Sequence, residues 1–282
     1  MRIAAVPTAM LSLLAPMMNT ASFGGTAEFA ADLASRLGAA LTGLCATPVV
    51  LPMPVMDAPL FLDDIIDDLL AERDRAIARE AAFLSWAHAR GVAAADWQVV
   101  EGPLDEALAR VGLWHDLVVL GTATAAKDPW QRPEVVGSLL VNLRQPCIVV
   151  PPAATTQLHC VAIAWNGSRE ALRAVHAALP LLRHARRVVV LRPADAGSDS
   201  GVCHPPFELE RYLDRHGIAA GSLLLRDPRA GSGETLLQTA AAVGADLLVM
   251  GAYGRRRFSE WVFGGATRHA LHEARIPLFM RH

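Results

Sequence analysis

Short apolar runs alternate with longer amphipathic stretches along this chain, and the alternation predicts its elements. Arg2–Pro7, Ala40–Ala46, Trp97–Val100, Asp116–Gly121 and Pro146–Val150 are four to seven residues each. Runs of that length, bounded by glycine, proline or polar residues, read as strands buried on both faces of a parallel sheet. Between them lie helix patterns. Thr26–Leu37 carries Phe29, Leu33 and Leu37 at helical spacing, with Thr26 as its expected cap and Gly38 as its stop. A long helix is expected from Asp63 to Arg90, closed by Gly91, and a shorter one from Pro103 to Val111.

The plan then repeats. Val161–Trp165, Arg187–Leu191, Leu223–Asp227, Asp246–Gly251 and Ile276–Met280 answer the five strand runs. Helices are expected after Asn166-Gly167-Ser168, over Phe207–His216, from Gly233, and from Ala266. Arg90-Gly91-Val92-Ala93-Ala94 is echoed by His216-Gly217-Ile218-Ala219-Ala220. Two tandem copies of a β-α-β-α-β-α-β-α-β unit follow. The expected fold class is α/β: two doubly wound domains, each a mostly parallel five-stranded sheet flanked by helices. Pro151–Gln157 has linker composition, which sets the expected domains at 1–152 and 158–282.

The richest chemistry lies near the end. Gly251-Ala252-Tyr253-Gly254 follows an expected strand, and after nine residues comes Gly264-Gly265-Ala266-Thr267, expected to open a helix. Glycines at a strand end let backbone approach a ligand, and a helix start offers unpaired N–H groups to a phosphate. The spacing resembles the nucleotide-binding motif of the universal stress proteins, G-x2-G-x9-G-(S/T), with Gly251, Gly254 and Gly264 on its glycines. Gly265 stands where that motif has Ser or Thr. The resemblance also implies a nucleoside contact at Asn166, where the family usually has aspartate. It implies an adenine nucleotide (ATP, ADP or AMP, with or without Mg) bound by Ala164, Asn166, Met250, Gly251, Gly254, Gly264, Gly265 and Ala266. Each of these has a plainer reading beside it: turn glycines, turn-and-cap chemistry at Asn166–Ser168, core filling at Met250. Arg255-Arg256-Arg257 offers charge near a phosphate or forms a solvated loop.

In the first copy Thr122-Ala123-Thr124 follows Gly121, without the second glycine, and Gly137-Ser138 is the nearest counterpart of the motif's last pair, at the wrong distance. Its first strand ends without an Asp-Gly-Ser. That copy is expected to bind nucleotide poorly and to act as a structural or partner-binding half. In this family the fifth strands usually pair across a dimer interface, so the resemblance implies an intramolecular pseudo-dimer, and it leaves room for a further homodimer.

Composition narrows the classes. Of 282 residues 52% are hydrophobic and the net charge is −2, which suggests no nucleic-acid partner. Met1–Met18 has a leader-like apolar bias, but Arg2 is its lone basic residue and Arg2–Pro7 stands where a first strand is needed; it is kept as mature sequence. No run is long enough to span a bilayer. Cys45, Cys147, Cys160 and Cys203 are widely spaced and read as buried thiols of a reducing, cytoplasmic protein. Asp63, Asp64, Asp67 and Asp68 read as an acidic first helical turn rather than a divalent-metal site. His269 and His272 have no third ligand near them in sequence. No S-G-G-x-D-S, H-E-x-x-H, G-x-S-x-G or Walker A pattern occurs, so the chain is expected not to be an enzyme, slow ATP hydrolysis apart. The alternative is a nucleotide-free interaction module that uses the proline-rich apolar loop Val49–Phe61.

Overall fold

The computed structural model describes residues 11–17, 23–49, 62–125, 128–155, 157–193, 208–225, 232–253 and 263–282. The chain folds as two compact units, Met1–Val119 and Leu120–His282.

The first unit runs β1 (Ser12–Pro16), α1 (Thr26–Leu37), β2 (Ala40–Thr47), α2 (Leu62–Ala78), α3 (Glu80–Ala89), β3 (Ala94–Glu101), α4 (Leu104–Val111) and β4 (Leu117–Gly121). Its strands lie in the order β3-β2-β1-β4, and the pairs are parallel. Among the described residues the first strand is therefore Ser12–Pro16; the expected strand Arg2–Pro7 lies outside them. Both stretches are apolar, so hydrophobicity alone did not separate them. What fixes Ser12 is Asp116: its carboxylate accepts from the Ser12 N–H at 2.9 Å, while its own N–H donates to the Ser12 carbonyl. Leu13, Leu14 and Ala15 are completely buried.

Two expected helix ends also differ. Thr26 is the first residue of α1 and Gly25 is its cap, whereas Gly38 closes the helix in the left-handed region (φ 61°) as expected. The long helix is divided at Arg79, whose N–H bonds to Ala76, three residues back, at 3.3 Å. An i→i−3 bond tightens the turn there.

The second unit contains α5 (Pro133–Asn142), β5 (Cys147–Val150), β6 (Cys160–Ala164), α6 (Arg169–His184), β7 (Arg187–Pro193), α7 (Leu209–Arg215), β8 (Ala220–Leu225), α8 (Ser232–Ala242), β9 (Leu247–Gly251), α9 (Phe263–Glu273) and β10 (Leu278–Arg281). Its strand order is β5-β10-β9-β6-β7-β8. β10, β9, β6, β7 and β8 are parallel, while β5 joins β10 antiparallel, Phe279 opposite Ile148 and Met280 opposite Cys147. The fifth strands of the two copies thus pair within one chain, leaving neither of those edges open.

The path explains where a ligand belongs. From β6 the chain winds outward through β7 to β8, then returns past β6 to β9 and on to β10. Right-handed crossovers put α6 and α7 on one face and α8 and α9 on the other. The reversal lies between β6 and β9, and an open sheet of this kind binds ligands at the carboxyl ends of the strands flanking such a point.

Candidate functional site

β6 and β9 pair in register, Val161 with Leu247 and Ile163 with Val249, so Ala164 and Met250 end side by side at that edge. After Ala164, the Trp165 N–H continues the ladder to Leu191 at 2.9 Å. Then the chain turns. The Asn166 side-chain oxygen accepts from the Ser168 N–H at 3.1 Å, Gly167 adopts φ 72°, and the Ser168 hydroxyl accepts from the Ala171 N–H at 3.1 Å. This is an Asx turn feeding a helix N-cap, so the local geometry of Asn166-Gly167-Ser168 is explained without a ligand. It occupies one acceptor of Asn166 and leaves the amide's donors to the edge.

At Gly251, β9 closely approaches the backbone of α6. A Cβ there would lie 2.6 Å from the Glu170 carbonyl carbon and 2.7 Å from the Ala171 nitrogen. Those atoms are helix backbone and cannot step aside, so Gly251 is required by packing whatever binds. Met250 and Ala164 are 1% and 8% exposed. The Met250 side chain is core, which confines any part it has in a site to its backbone.

Beyond β9, Ala252 is held at both polar atoms: its N–H donates to the Arg281 carbonyl at 2.9 Å, and its carbonyl meets His282 Nδ1 at 3.0 Å. Gly254 and Arg255–Arg257 lie outside the described residues. Chain direction brings the start of α9 to the same carboxyl edge, since α9 leads from the end of β9 to the beginning of β10. α9 begins at Phe263, earlier than expected, so Gly264, Gly265 and Ala266 lie inside its first turn rather than before it. That places their N–H groups among the four with no intrahelical acceptor, at the positive end of the helix dipole. Gly265 is exposed, and a Cβ built on it would meet nothing within 4 Å. Ala266 is buried at 5% exposure. Thr267, which sequence reasoning did not single out, is wholly buried with an unpartnered hydroxyl.

The first copy can be laid on the second through matching bonds. Asp116 N–H donates to Ser12 O as Asp246 N–H does to Cys160 O, and Thr122 N–H donates to Val150 O as Ala252 N–H does to Arg281 O. Counting back equally from Pro146 and Pro277, Gly264-Gly265 fall on Pro133-Glu134. Gly137-Ser138 is therefore not the counterpart of the motif's final pair. Both lie inside α5, where the Ser138 hydroxyl donates to the Glu134 carbonyl at 3.1 Å. The true counterpart has a proline, with no N–H to give, and a carboxylate. Glu134 is further engaged 3.2 Å from His272 Nε2 on α9.

Cys45, Cys147 and Cys160 are buried free thiols on strands, and burial pushes the Cys147 thiol up to about 12. Among the described residues no group of three His, Cys, Asp or Glu side chains is placed to hold a metal ion, and no helix is long and apolar enough to cross a membrane.

Residues 229–281 match the sequence model of the universal stress protein family. No curated protein matches the chain. Among solved structures, a universal stress protein from Archaeoglobus fulgidus is 14% identical with a TM-score of 0.65, covering 96% of this chain and 95% of its own. A putative universal stress protein from Pseudomonas aeruginosa is 15% identical with a TM-score of 0.52, covering 97% and 93%. At such identities the likeness is one of fold. The segment that holds the two glycine pairs is thus similar in sequence to the universal stress proteins, and the chain shares their fold.

Proposed function

We propose that this chain binds an adenine nucleotide at the carboxyl edge of its second copy, residues 158–282, and acts in a stress response or its regulation rather than in catalysis. The observation that carries the reading is the first turn of α9, where two glycines present unpaired N–H groups and Gly265 faces open space. A polyphosphate laid across that turn meets backbone donors and a favourable dipole, with no described side chain within 4 Å of where a Gly265 Cβ would stand. The Asn166 amide donors suit a ribose hydroxyl or the base. Glycine at position 265 supplies an N–H but no hydroxyl, which removes one phosphate contact and favours weaker binding or a shorter phosphate chain. Arg255–Arg257, adjacent to Gly254 in sequence, supply charge for phosphate oxygens. Mg, if it accompanies ATP, would be held chiefly by the phosphates and water.

The first copy, residues 1–152, is read as a non-binding partner half. Pro133 withholds an N–H where Gly264 offers one, and Glu134 already puts an anion on that helix start. Buried free thiols at Cys45, Cys147 and Cys160 fit a reducing compartment such as the cytoplasm.

The test is mass spectrometry of small molecules released from gently purified protein, with titration calorimetry against ATP, ADP and AMP. About one nucleotide per chain supports the reading. None released, and no heat at millimolar nucleotide, overturns it and leaves the interaction module.

A further inference from the structure

Two local oddities in the second unit meet at one point. Tyr253, inside the Gly251-Ala252-Tyr253-Gly254 turn, has φ 52°, in the left-handed region that a bulky residue avoids. Gly137 sits in the middle of α5, where glycine weakens a helix and where its own φ is not positive. A Cβ on Gly137 would lie 2.4 Å from the Tyr253 hydroxyl and 3.5 Å from Leu271 Cδ1 of α9. One explanation covers both. The missing side chain on α5 is the space that the Tyr253 phenol occupies, and the phenol reaches it from a backbone in the left-handed region.

The surroundings reinforce this seat. Ala252, just before Tyr253, is clamped by its bonds to Arg281 and His282. α5 and α9 are tied by Glu134 to His272 at 3.2 Å, and the Thr124 hydroxyl donates to the His272 carbonyl at 3.5 Å. The Tyr253 phenol is half-buried, and its pKa is raised by that burial, partly opposed by Arg268 of α9.

We infer that Tyr253 is a positioning residue: seated on Gly137 beside Leu271, it holds the end of β9 against α9, whose first turn presents backbone to a phosphate. The inference rests on the reading of the first turn of α9 as the phosphate cradle. It gives the first copy a task that needs no ligand of its own. α5, a first-copy helix by sequence, pre-organises the second copy's site. Losing the seat lowers the population of the competent turn, and apparent affinity falls by the same factor.

The chain has two tyrosines, so a Tyr212→Phe parent leaves Tyr253 as the reporter phenol. Phenolate absorbance against pH and ATP, ADP and AMP calorimetry are measured on that parent, on G137A, on Y253F and on G137A/Y253F. Alanine favours the helix, so G137A should stay folded by its thermal melt. The expected results are a phenol transition in G137A that falls back toward 10, the ordinary tyrosine value, and nucleotide affinity weakened about tenfold. G137A/Y253F, whose shortened ring clears the added methyl, should regain the affinity of Y253F. Unchanged affinity in G137A overturns the inference, as does a double variant no tighter than G137A. A parent that binds none of the three nucleotides instead removes the cradle reading, and the positioning role falls with it.

Discussion

Helices α5 and α9 begin at matching points of the repeat and are closed by matching Pro146 and Pro277, yet their first turns are built from opposite chemistry. α9 opens Phe263-Gly264-Gly265, with bare backbone at the positive end of the helix. α5 opens Pro133-Glu134, with one donor deleted and a carboxylate already there. The strand-side features are shared. Asp116 and Asp246 both accept backbone N–H groups at the start of the first strand, and Thr122 and Ala252 both continue the ladder past β4 and β9. The parts that build the fold have been kept twice, and the part that could receive an anion once. A fold element and a ligand element can thus be told apart inside one chain.

Gly251 is where the two kinds of requirement overlap. Gly251→Val would drive a branched side chain into the α6 backbone already 2.6 Å from a Cβ. Overpacking against atoms that cannot rotate away should cost about 3 kcal/mol or more, measured by urea unfolding, and should take nucleotide binding with it. If Gly251→Val folds with full stability, the contact with α6 is misread.

The paired aspartates sharpen the comparison next. Asp246 accepts from two N–H groups, His159 at 2.7 Å and Cys160 at 3.2 Å, whereas among the described residues Asp116 accepts from Ser12 at 2.9 Å. Charge-assisted bonds to backbone put the loss at about 2 kcal/mol for Asp246→Ala and about 1 kcal/mol for Asp116→Ala, by denaturant melts. Equal losses would mean that the extra bond in the second copy adds nothing.

Ser168→Ala removes the α6 cap, a feature that α1 lacks because Gly25 caps it without a side chain. The expected loss is about 1 kcal/mol. A larger fall in nucleotide affinity than in stability would show that the Asn166–Ser168 turn also serves the ligand.

The smallest effect at neutral pH is that of a thiol, which shows only as a slope in strongly basic solution. Cys147 of β5 titrates near 12 in the folded chain against 9.0 ordinarily, because burial disfavours its thiolate. The unfolded chain therefore releases this proton first, and stability falls as pH rises from about 9 toward 12. Below that window the thiol is protonated in both states and adds no slope. Cys147→Ala should flatten that part of the stability curve, and the native thiol should resist alkylation at mildly basic pH. The β10 residue nearest in the ladder, Met280, offers no such group.

Much of this was legible in the sequence. The doubling of the strand pattern and the parallel α/β class follow from short apolar runs and punctuating glycines, which local physics dictates. Arg2–Pro7 was expected as the first strand because both it and Ser12–Pro16 are largely apolar; what sets Ser12–Pro16 in the sheet is its bonding to Asp116, distant in sequence. Gly137-Ser138 was matched to the motif by resemblance of residues, whereas equivalence is set by ladder hydrogen bonds, which place the pair in a helix interior. Gly251 was read for its nearness to a ligand, and its tight approach to α6 became visible only in three dimensions. The Tyr253–Gly137 contact joins residues far apart in sequence, and nothing in either neighbourhood announces it.

The central claim is one receptive helix start beside one that is already filled. Its most direct test is calorimetry with ATP, ADP and AMP on the parent and on Gly265→Glu, which copies Glu134 onto α9. Gly265 faces open space and tolerates a side chain, so the variant should fold. The account predicts about one nucleotide per parent chain and an affinity at least about tenfold weaker in the variant, from repulsion between the new carboxylate and phosphate. Two nucleotides per chain, or a Gly265→Glu protein that binds as tightly as its parent, would contradict it.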